Sequence, residues 1–507
     1  MGSNVDPCTP VVVGAGQFSE RCGDPEYSEL TPIDLATNAV RRAIEDTGCR
    51  IRELTARIDT AIGIRSYADS IPSQTSHAGN YPRSVCDRVG ADPERAVLGT
   101  VGGHTPQRML TELAGDIAAG RSHVGVLFGS EAVATQRHLA AQSRPAVFGE
   151  HRDGQLEDRG LGLDGLPLAL LWESGLTEPT SQFAVFENAR RARLGMNRDE
   201  YAQRMGRLLA PMQTVAAANP HAVARSPRSV HDLITATVSN RYIAQPYTRS
   251  LVAQDRVNQA AAVVIMSRRA AQRLGVDPDQ WVHLHGHSDL DGRRILDRTD
   301  LSQSPAAVRA VQTALTMSSL TVNDVSFLDL YSCFPIAVFT LTDGLGLDEA
   351  DPRGFTVTGG LPFFGGPGNN YAMHAICETY QRIRATPATF GMVSATGGPA
   401  CKYSVGVYST TPCEWQPSAD RPVQDLLDSE AGVDVAARTQ GAVTVETYTV
   451  KHTKDGPVGI VAGRCDDGQR VFATTRDTST TTLLTDEDPI GQQMHVRPTK
   501  SGNTLEP

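Results

Sequence analysis

Val124–Gly129 reads VGVLFG, an almost unbroken apolar run, and Ala260–Met266 reads AAAVVIM. Runs of this length suit strands buried on both faces of a sheet, because a half-exposed strand would alternate apolar with polar residues. Each sits in a wider grammar of short apolar strand, glycine-bearing loop and amphipathic helix. Upstream, Val11–Gly16 (VVVGAG) predicts a strand and Ile33–Asp46 a helix opened by Thr31-Pro32; Ile58–Ile64 predicts a strand and Pro106–Ala119 a helix. Downstream come a helix over Pro305–Thr316, a strand over Val325–Tyr331, a helix after Pro335 and a strand over Thr389–Ser394. The second half repeats the order of the first, which predicts an α/β fold of two similar halves.

Between about Thr135 and Arg249 the pattern weakens into polar loops and short helices, one of them Asn197–Leu209, as expected of a long insertion. After Val407 a Pro- and Trp-bearing linker leads to Val443–Lys451 (VTVETYTVK), Val458–Gly463, Arg470–Thr475 and Met494–Arg497. Strict alternation there predicts a small all-β unit. The expected division is therefore residues 1–250, with the insertion at 135–249, then 251–412, then linker and β unit at 413–507.

The chain has 507 residues, 57 acidic and 47 basic, for a net charge of −10. That balance disfavours nucleic acid and anionic lipid as partners. The β unit after Ala442 carries seven Lys/Arg against nine Asp/Glu, and no aromatic platform for bases. No apolar run approaches the ~20 residues of a membrane helix. The opening MGSNVDPCTP lacks the basic and apolar regions of a signal peptide, so a cytoplasmic protein without membrane partners is expected. Nine cysteines without paired spacing predict reduced thiols.

Two α/β halves, the opening VVVGAGQFSE and the run Pro246–Ser267 (PYTRSLVAQDRVNQAAAVVIMS) together resemble the thiolase superfamily. Within it the chain resembles the sterol-carrier-protein-type and lipid-transfer-like thiolases, often labelled acetyl-CoA acetyltransferases. The resemblance spans about Val11–Thr410 and implies two βαβαβαββ halves layered α-β-α-β-α, with a loop-domain insertion. It leaves the C-terminal unit as an addition, expected to be a small OB-like barrel that packs on the body or on a protein partner. It also implies a homodimer, an acyl-CoA thioester as ligand or substrate, and no separate cofactor.

The same resemblance marks four glycine-rich corners, and none keeps the family's reactive side chain. Gly103 stands where the family's C-x-S-G turn has its nucleophilic cysteine, with Thr105 at the serine and His104 adjacent. Tyr331-Ser332-Cys333-Phe334 stands at the H-D-C-F or N-E-A-F corner, Cys333 matching a structural cysteine. Gly365-Gly366-Pro367 replaces G-H-P, and Ser394-Ala395-Thr396-Gly397-Gly398 replaces C-x-G-G-G. Gly103, Tyr331, Gly366 and Ser394 thus mark lost catalytic positions. Thiol and imidazole are needed for thiolytic proton transfer and nucleophilic attack, and a glycine or an ordinary serine supplies neither. His104, Thr105, Ser332, Cys333, Phe334, Gly365, Thr396 and Gly397 are expected to line the pocket.

Tyr331 is the one remaining catalytic candidate. It supports an alternative, since lipid-transfer-like retro-aldolases acting on β-hydroxyacyl-CoA place tyrosine at that corner, although they have a second tyrosine where this chain has Gly366. A non-catalytic scaffold is the third reading. Three further features carry bland readings. Gly14 and Gly16 lack the third glycine of a dinucleotide turn. His283, His285 and His287 alternate, but Gly286 predicts that their strand is ending, and no metal is expected. Cys401-Lys402 forms a reactive pair only if the ammonium lowers the thiol's pKa.

Overall fold

A computed structural model describes residues 5–70, 79–163 and 167–506. Its main sheet draws on strands β1 (Pro10–Ser19), β2 (Thr60–Gly63), β3 (Arg95–Leu98), β4 (Val124–Ala132) and β5 (Glu157–Asp158). A hairpin, β6 (Tyr242–Ala244) and β7 (Tyr247–Thr248), precedes β8 (Asn258–Ser267), β9 (Val282–Asp291), β10 (Phe327–Leu330), β11 (Phe390–Gly397) and β12 (Lys402–Ser409). The order β10-β11-β12-β9-β1-β8-β4-β2-β3-β5 is two half-sheets meeting where β1 pairs antiparallel with β9, Val11 opposite His283. β9, β12, β11 and β10 repeat the places of β1, β8, β4 and β2. Every residue of β4 and β8 is buried, as their apolar runs predict.

Helices cover both faces. Pro32–Asp46 starts at a capping box in which Thr31 accepts from the Asp34 amide and Asp34 answers the Thr31 amide, with Pro32 at the first turn. It packs on β1 and β8, as Pro305–Met317 packs on β9 and β12. Thr105–Ala118 and Tyr371–Ala385 lie against each other and touch strands of both half-sheets, making the middle of the α-β-α-β-α stack. The sequence expectation for β9 needs correcting, for the strand does not end at Gly286 but runs on to Asp291. A Cβ at Gly286 would lie 2.0 Å from the Ala314 carbonyl oxygen, so the glycine admits the Pro305–Met317 helix.

The C-terminal strands β13 (Gly441–Thr453), β14 (Gly456–Arg464), β15 (Arg470–Thr475), β16 (Gln493–Thr499) and β17 (Gly502–Leu505) close on themselves as β13-β14-β15-β17-β16-β13. β15 and β17 are parallel, and the Thr478–Asp486 helix lies between β15 and β16. This is the five-stranded OB order. The barrel is built into the body: Lys451 of β13 pairs with Ala244 of the hairpin. Arg191 bridges to Asp488 at 2.7 Å, and Thr447 donates to the Val185 carbonyl at 2.6 Å.

Candidate functional site

The two middle helices bring their N-termini together at the junction of the halves. Asn369 ties the corners: its Oδ1 accepts from the Gly102 amide at 2.9 Å and its Nδ2 donates to the Arg65 carbonyl at 2.8 Å. Asn370 donates to the Gly129 carbonyl at 2.7 Å. Neither caps the Tyr371–Ala385 helix through its side chain. Both hold loops in place.

Tyr331 follows β10 and reaches across to the start of the Thr105–Ala118 helix. A Cβ built on Gly103 would stand 2.1 Å from the Tyr331 hydroxyl oxygen and 2.7 Å from the Thr396 carbonyl oxygen. The tyrosine therefore occupies the space a side chain at 103 would need. Its ring meets Tyr371 edge-on at 5.3 Å, and among the described residues nothing hydrogen-bonds its hydroxyl. Burial raises the phenol above its ordinary pKa, so at neutral pH it donates rather than accepts a proton.

The other corners are equally specific. Gly366 donates its amide to the Gln254 carbonyl at 2.7 Å, and a Cβ there would meet Ala253 Cβ at 3.3 Å. Gly365 has φ +118°, open only to glycine. Ser394 and Thr396, two residues apart on β11, have buried hydroxyls without a partner. His104 is 1% exposed and fits between Gly102 and Gly397, where a Cβ on Gly397 would lie 2.0 Å from its Nδ1. That nitrogen has no partner, and the side chain makes no helix-capping bond. Burial, with the charges of Arg108 and Lys402, lowers the imidazole to about 3, leaving it neutral. Thr105 bonds Thr100 at 3.3 Å. Ser332 accepts from the Leu361 amide at 3.2 Å, and Phe334 stacks on Phe183 at 4.5 Å. Burial raises the Cys333 thiol.

These groups frame two cavities. An outer one of about 720 Å³ is lined by Gly103, Tyr331, Cys333, Phe334, Gly366 and Gly397, with Leu163, Leu168 and Leu171 from the inserted segment. An inner one of about 30 Å³ is lined by Ser394 among mostly apolar side chains, and shares Phe183, Tyr331 and Thr396 with the outer. No histidine among the described residues lines either.

Glu131, at the end of β4, escapes the sequence reading. It is 2% exposed, accepts from the Tyr67 amide at 2.5 Å and is pushed by burial up to about 8. A carboxylate closing the run VGVLFGSEA is the signal that could have found it. His285 and His287 bond the carbonyls of Thr411 (2.8 Å) and Gln416 (3.0 Å), and His287 stacks on Trp415 at 4.7 Å. The described residues hold no group of three His, Cys, Asp or Glu placed to bind a metal ion. Burial raises the Cys401 thiol to about 11, while the Lys402 ammonium donates to the Gly162 carbonyl at 2.7 Å, so the two do not form an activated pair.

Residues 422–501 match a family model described as the thiolase-like protein type 1 additional C-terminal domain. A crystal structure of a monomeric SCP2-thiolase-like protein type 1 from Mycobacterium smegmatis is 41% identical, covering 99% of each chain with a TM-score of 0.86. An Ltp2–ChsH2(DUF35) aldolase is 19% identical over 80% of this chain and 98% of its own, TM-score 0.59. Human mitochondrial 3-ketoacyl-CoA thiolase in complex with CoA is 17% identical over 79% of this chain and 98% of its own, TM-score 0.56. The last two likenesses establish fold alone. No curated protein matches. Among the described residues no helix is long and apolar enough to cross a membrane.

Proposed function

The chain belongs to the SCP2-thiolase-like proteins of type 1, and from that premise we propose that it binds an acyl thioester of the acyl-CoA class in the outer cavity without thiolase turnover. One observation carries this reading: the Tyr331 hydroxyl occupies the volume beside Gly103 in which a nucleophilic side chain would stand. Thiolysis needs a thiolate to take the acyl group and a base to activate it. Position 103 has no side chain, Gly366 offers only backbone, and among the described residues no base bonds Ser394 to take its proton. Cys333 borders the cavity, but burial holds it as a thiol and no imidazole faces it. What remains is a binding surface. The helix N-terminus at Thr105 and the Tyr331 hydroxyl suit a thioester carbonyl oxygen, and the apolar lining suits the acyl chain.

Thermal shift with acetyl-CoA, acetoacetyl-CoA and their pantetheine analogues tests binding, since a ligand of the folded state raises the melting temperature. Stabilisation without CoA-dependent cleavage of acetoacetyl-CoA is expected. Ordinary thiolytic turnover refutes the reading.

The unpaired Tyr331 hydroxyl also favours a second reading, retro-aldol cleavage of a β-hydroxyacyl-CoA. When the Cα–Cβ bond breaks, the β-hydroxyl gives its proton to a base and becomes the carbonyl product, and a raised phenol would serve as proton donor to the thioester enolate left behind. Tyr331→Phe should then abolish cleavage, and equal rates with and without the hydroxyl end the idea.

A further inference from the structure

The inner cavity holds a positive charge that no acid answers. Arg298 is 6% exposed and lines this cavity. Its Nε and Nη2 donate to the Arg293 carbonyl at 3.4 and 3.1 Å, Nη2 also to the Ala400 carbonyl, and Nη1 to the Gln303 carbonyl at 3.5 Å. The Phe186 ring lies 4.5 Å from the guanidinium carbon. These partners are neutral, as is the Tyr403 hydroxyl that the guanidinium also reaches, and among the described residues no carboxylate pairs with the group. A buried cation without a counter-ion is costly, and a protein that retains one commonly uses it. The same cavity is lined by Ser394 and Thr396, whose buried hydroxyls lack partners, and by Tyr331, whose hydroxyl is equally unbonded. Leu301, Ile336 and Leu341 make much of the remaining wall apolar.

We propose that the inner cavity is a carboxylate site, in which Arg298 balances the charge and Ser394 and Thr396 donate to the two oxygens. A carboxylate brings one charge against one guanidinium. A phosphate or sulfate would bring up to two into a largely apolar wall and leave one uncompensated. A cavity of about 30 Å³ takes a group of only a few heavy atoms. The carboxylate has two sources. It is the far end of a short acyl thioester whose sulfur end lies in the outer cavity, which rests on the thioester reading above, or it is a free short carboxylate.

Calorimetry on the full chain with succinyl-CoA and butyryl-CoA, equal in chain length, separates these, alongside thermal shift with sodium acetate against sodium chloride at matched ionic strength. Succinyl-CoA is expected to bind at least about tenfold tighter, the scale of hydrogen bonds to a charged group. Arg298→Gln is expected to erase the difference. Because Arg298 also ties three backbone carbonyls, Ser394→Ala and Thr396→Val serve as milder variants, each expected to narrow it several-fold. Acetate that stabilises the protein where chloride does not, with the two esters binding alike, assigns the site to a free carboxylate. Acetate stabilisation with neither ester binding keeps the carboxylate site while the thioester reading falls. Equal binding of the two esters with acetate no better than chloride overturns the carboxylate site and leaves the thioester reading standing.

Discussion

Gly103 and Tyr331 compete for one volume: a Cβ on the glycine would stand 2.1 Å from the tyrosine hydroxyl and 2.4 Å from the ring carbon that bears it. Two residues 228 positions apart are thus a single coupled choice. Gly103→Ala should destabilise the fold by about 1–3 kcal/mol, the usual cost of overpacking a filled core. Removing the ring with Tyr331→Ala should relieve part of that cost. The Thr396 carbonyl, 2.7 Å from the same Cβ position, keeps the relief incomplete. A double-mutant cycle read by urea unfolding should give a coupling of about 1 kcal/mol or more, and additive costs would separate the two residues.

Thiol chemistry should avoid the site. Burial raises the Cys333 thiol, and raises Cys401 to about 11 and Cys86 to about 12, while desolvation alone takes Cys413 to about 12. The thiolate is the reactive form, and at pH 7.5 each of these is overwhelmingly protonated. Iodoacetamide on the native protein should therefore leave Cys333 and Cys401 unmodified by peptide mass mapping, whereas all nine cysteines react after unfolding. Rapid native labelling of Cys333 would contradict the absence of a nucleophile in the outer cavity.

Stability should fall between pH 5 and 8. Burial raises Glu131 from 4.5 to about 8 and Glu187 from 4.5 to about 7, and raises Asp329 from 3.8 to about 6. Above their unfolded pKa values the unfolded chain releases these protons while the folded protein keeps them. Proton uptake then favours the folded state less as pH rises, until each folded pKa is passed. The stability these groups contribute is full below about pH 4 and is lost as pH rises through about 6, 7 and 8 in turn. Glu131→Gln removes the highest step, so its melting temperature should lose less between pH 6 and 9 than the parent's. A parallel pH profile would show that Glu131 does not carry that proton.

The doubly buried strands were plain in the sequence because VGVLFG and AAAVVIM leave no solvent face, and the capped helix after Thr31 follows from its own turn. The OB order of the barrel was legible only as alternation, since Gly502–Leu505 and the helix Thr478–Asp486 are too short and polar to announce themselves. β12 was missed because KYSVGVYS mixes polar with apolar residues yet is buried from Tyr403 onward, its hydroxyls finding partners such as Asp289 and Gln107. Gly286 misled for a different reason: the glycine answers a helix packed across the sheet, which no local pattern records. The Gly103 to Tyr331 contact and the Arg298 guanidinium, which meets no carboxylate among the described residues, lie beyond sequence reading altogether, because each depends on residues far away in the chain.

Arg470 should be the residue that fixes the barrel to the body. It is fully buried on β15, bonds Glu446 at 2.6 Å within the barrel, and donates to the carbonyls of Leu296 (3.2 Å), Arg298 and Thr299 (3.3 Å) in the loop that carries the inner-cavity arginine. Arg470→Met keeps much of the stem's packing but orphans those carbonyls. Glu446 retains Arg464 at 2.7 Å, so the loss falls mainly on the join. Leaving buried carbonyls without a donor costs about 1–3 kcal/mol each. Arg421 is shielded from trypsin by Pro422, but the stretch before the barrel contains Arg438, exposed, outside any helix or strand and followed by Thr439, a bond open to trypsin. Loosening the join should let trypsin cut there well before the rest of the chain, releasing an intact barrel fragment. If the variant instead degrades without an early barrel fragment, or resists as the parent does, the contacts at 296–299 do not hold the barrel in place.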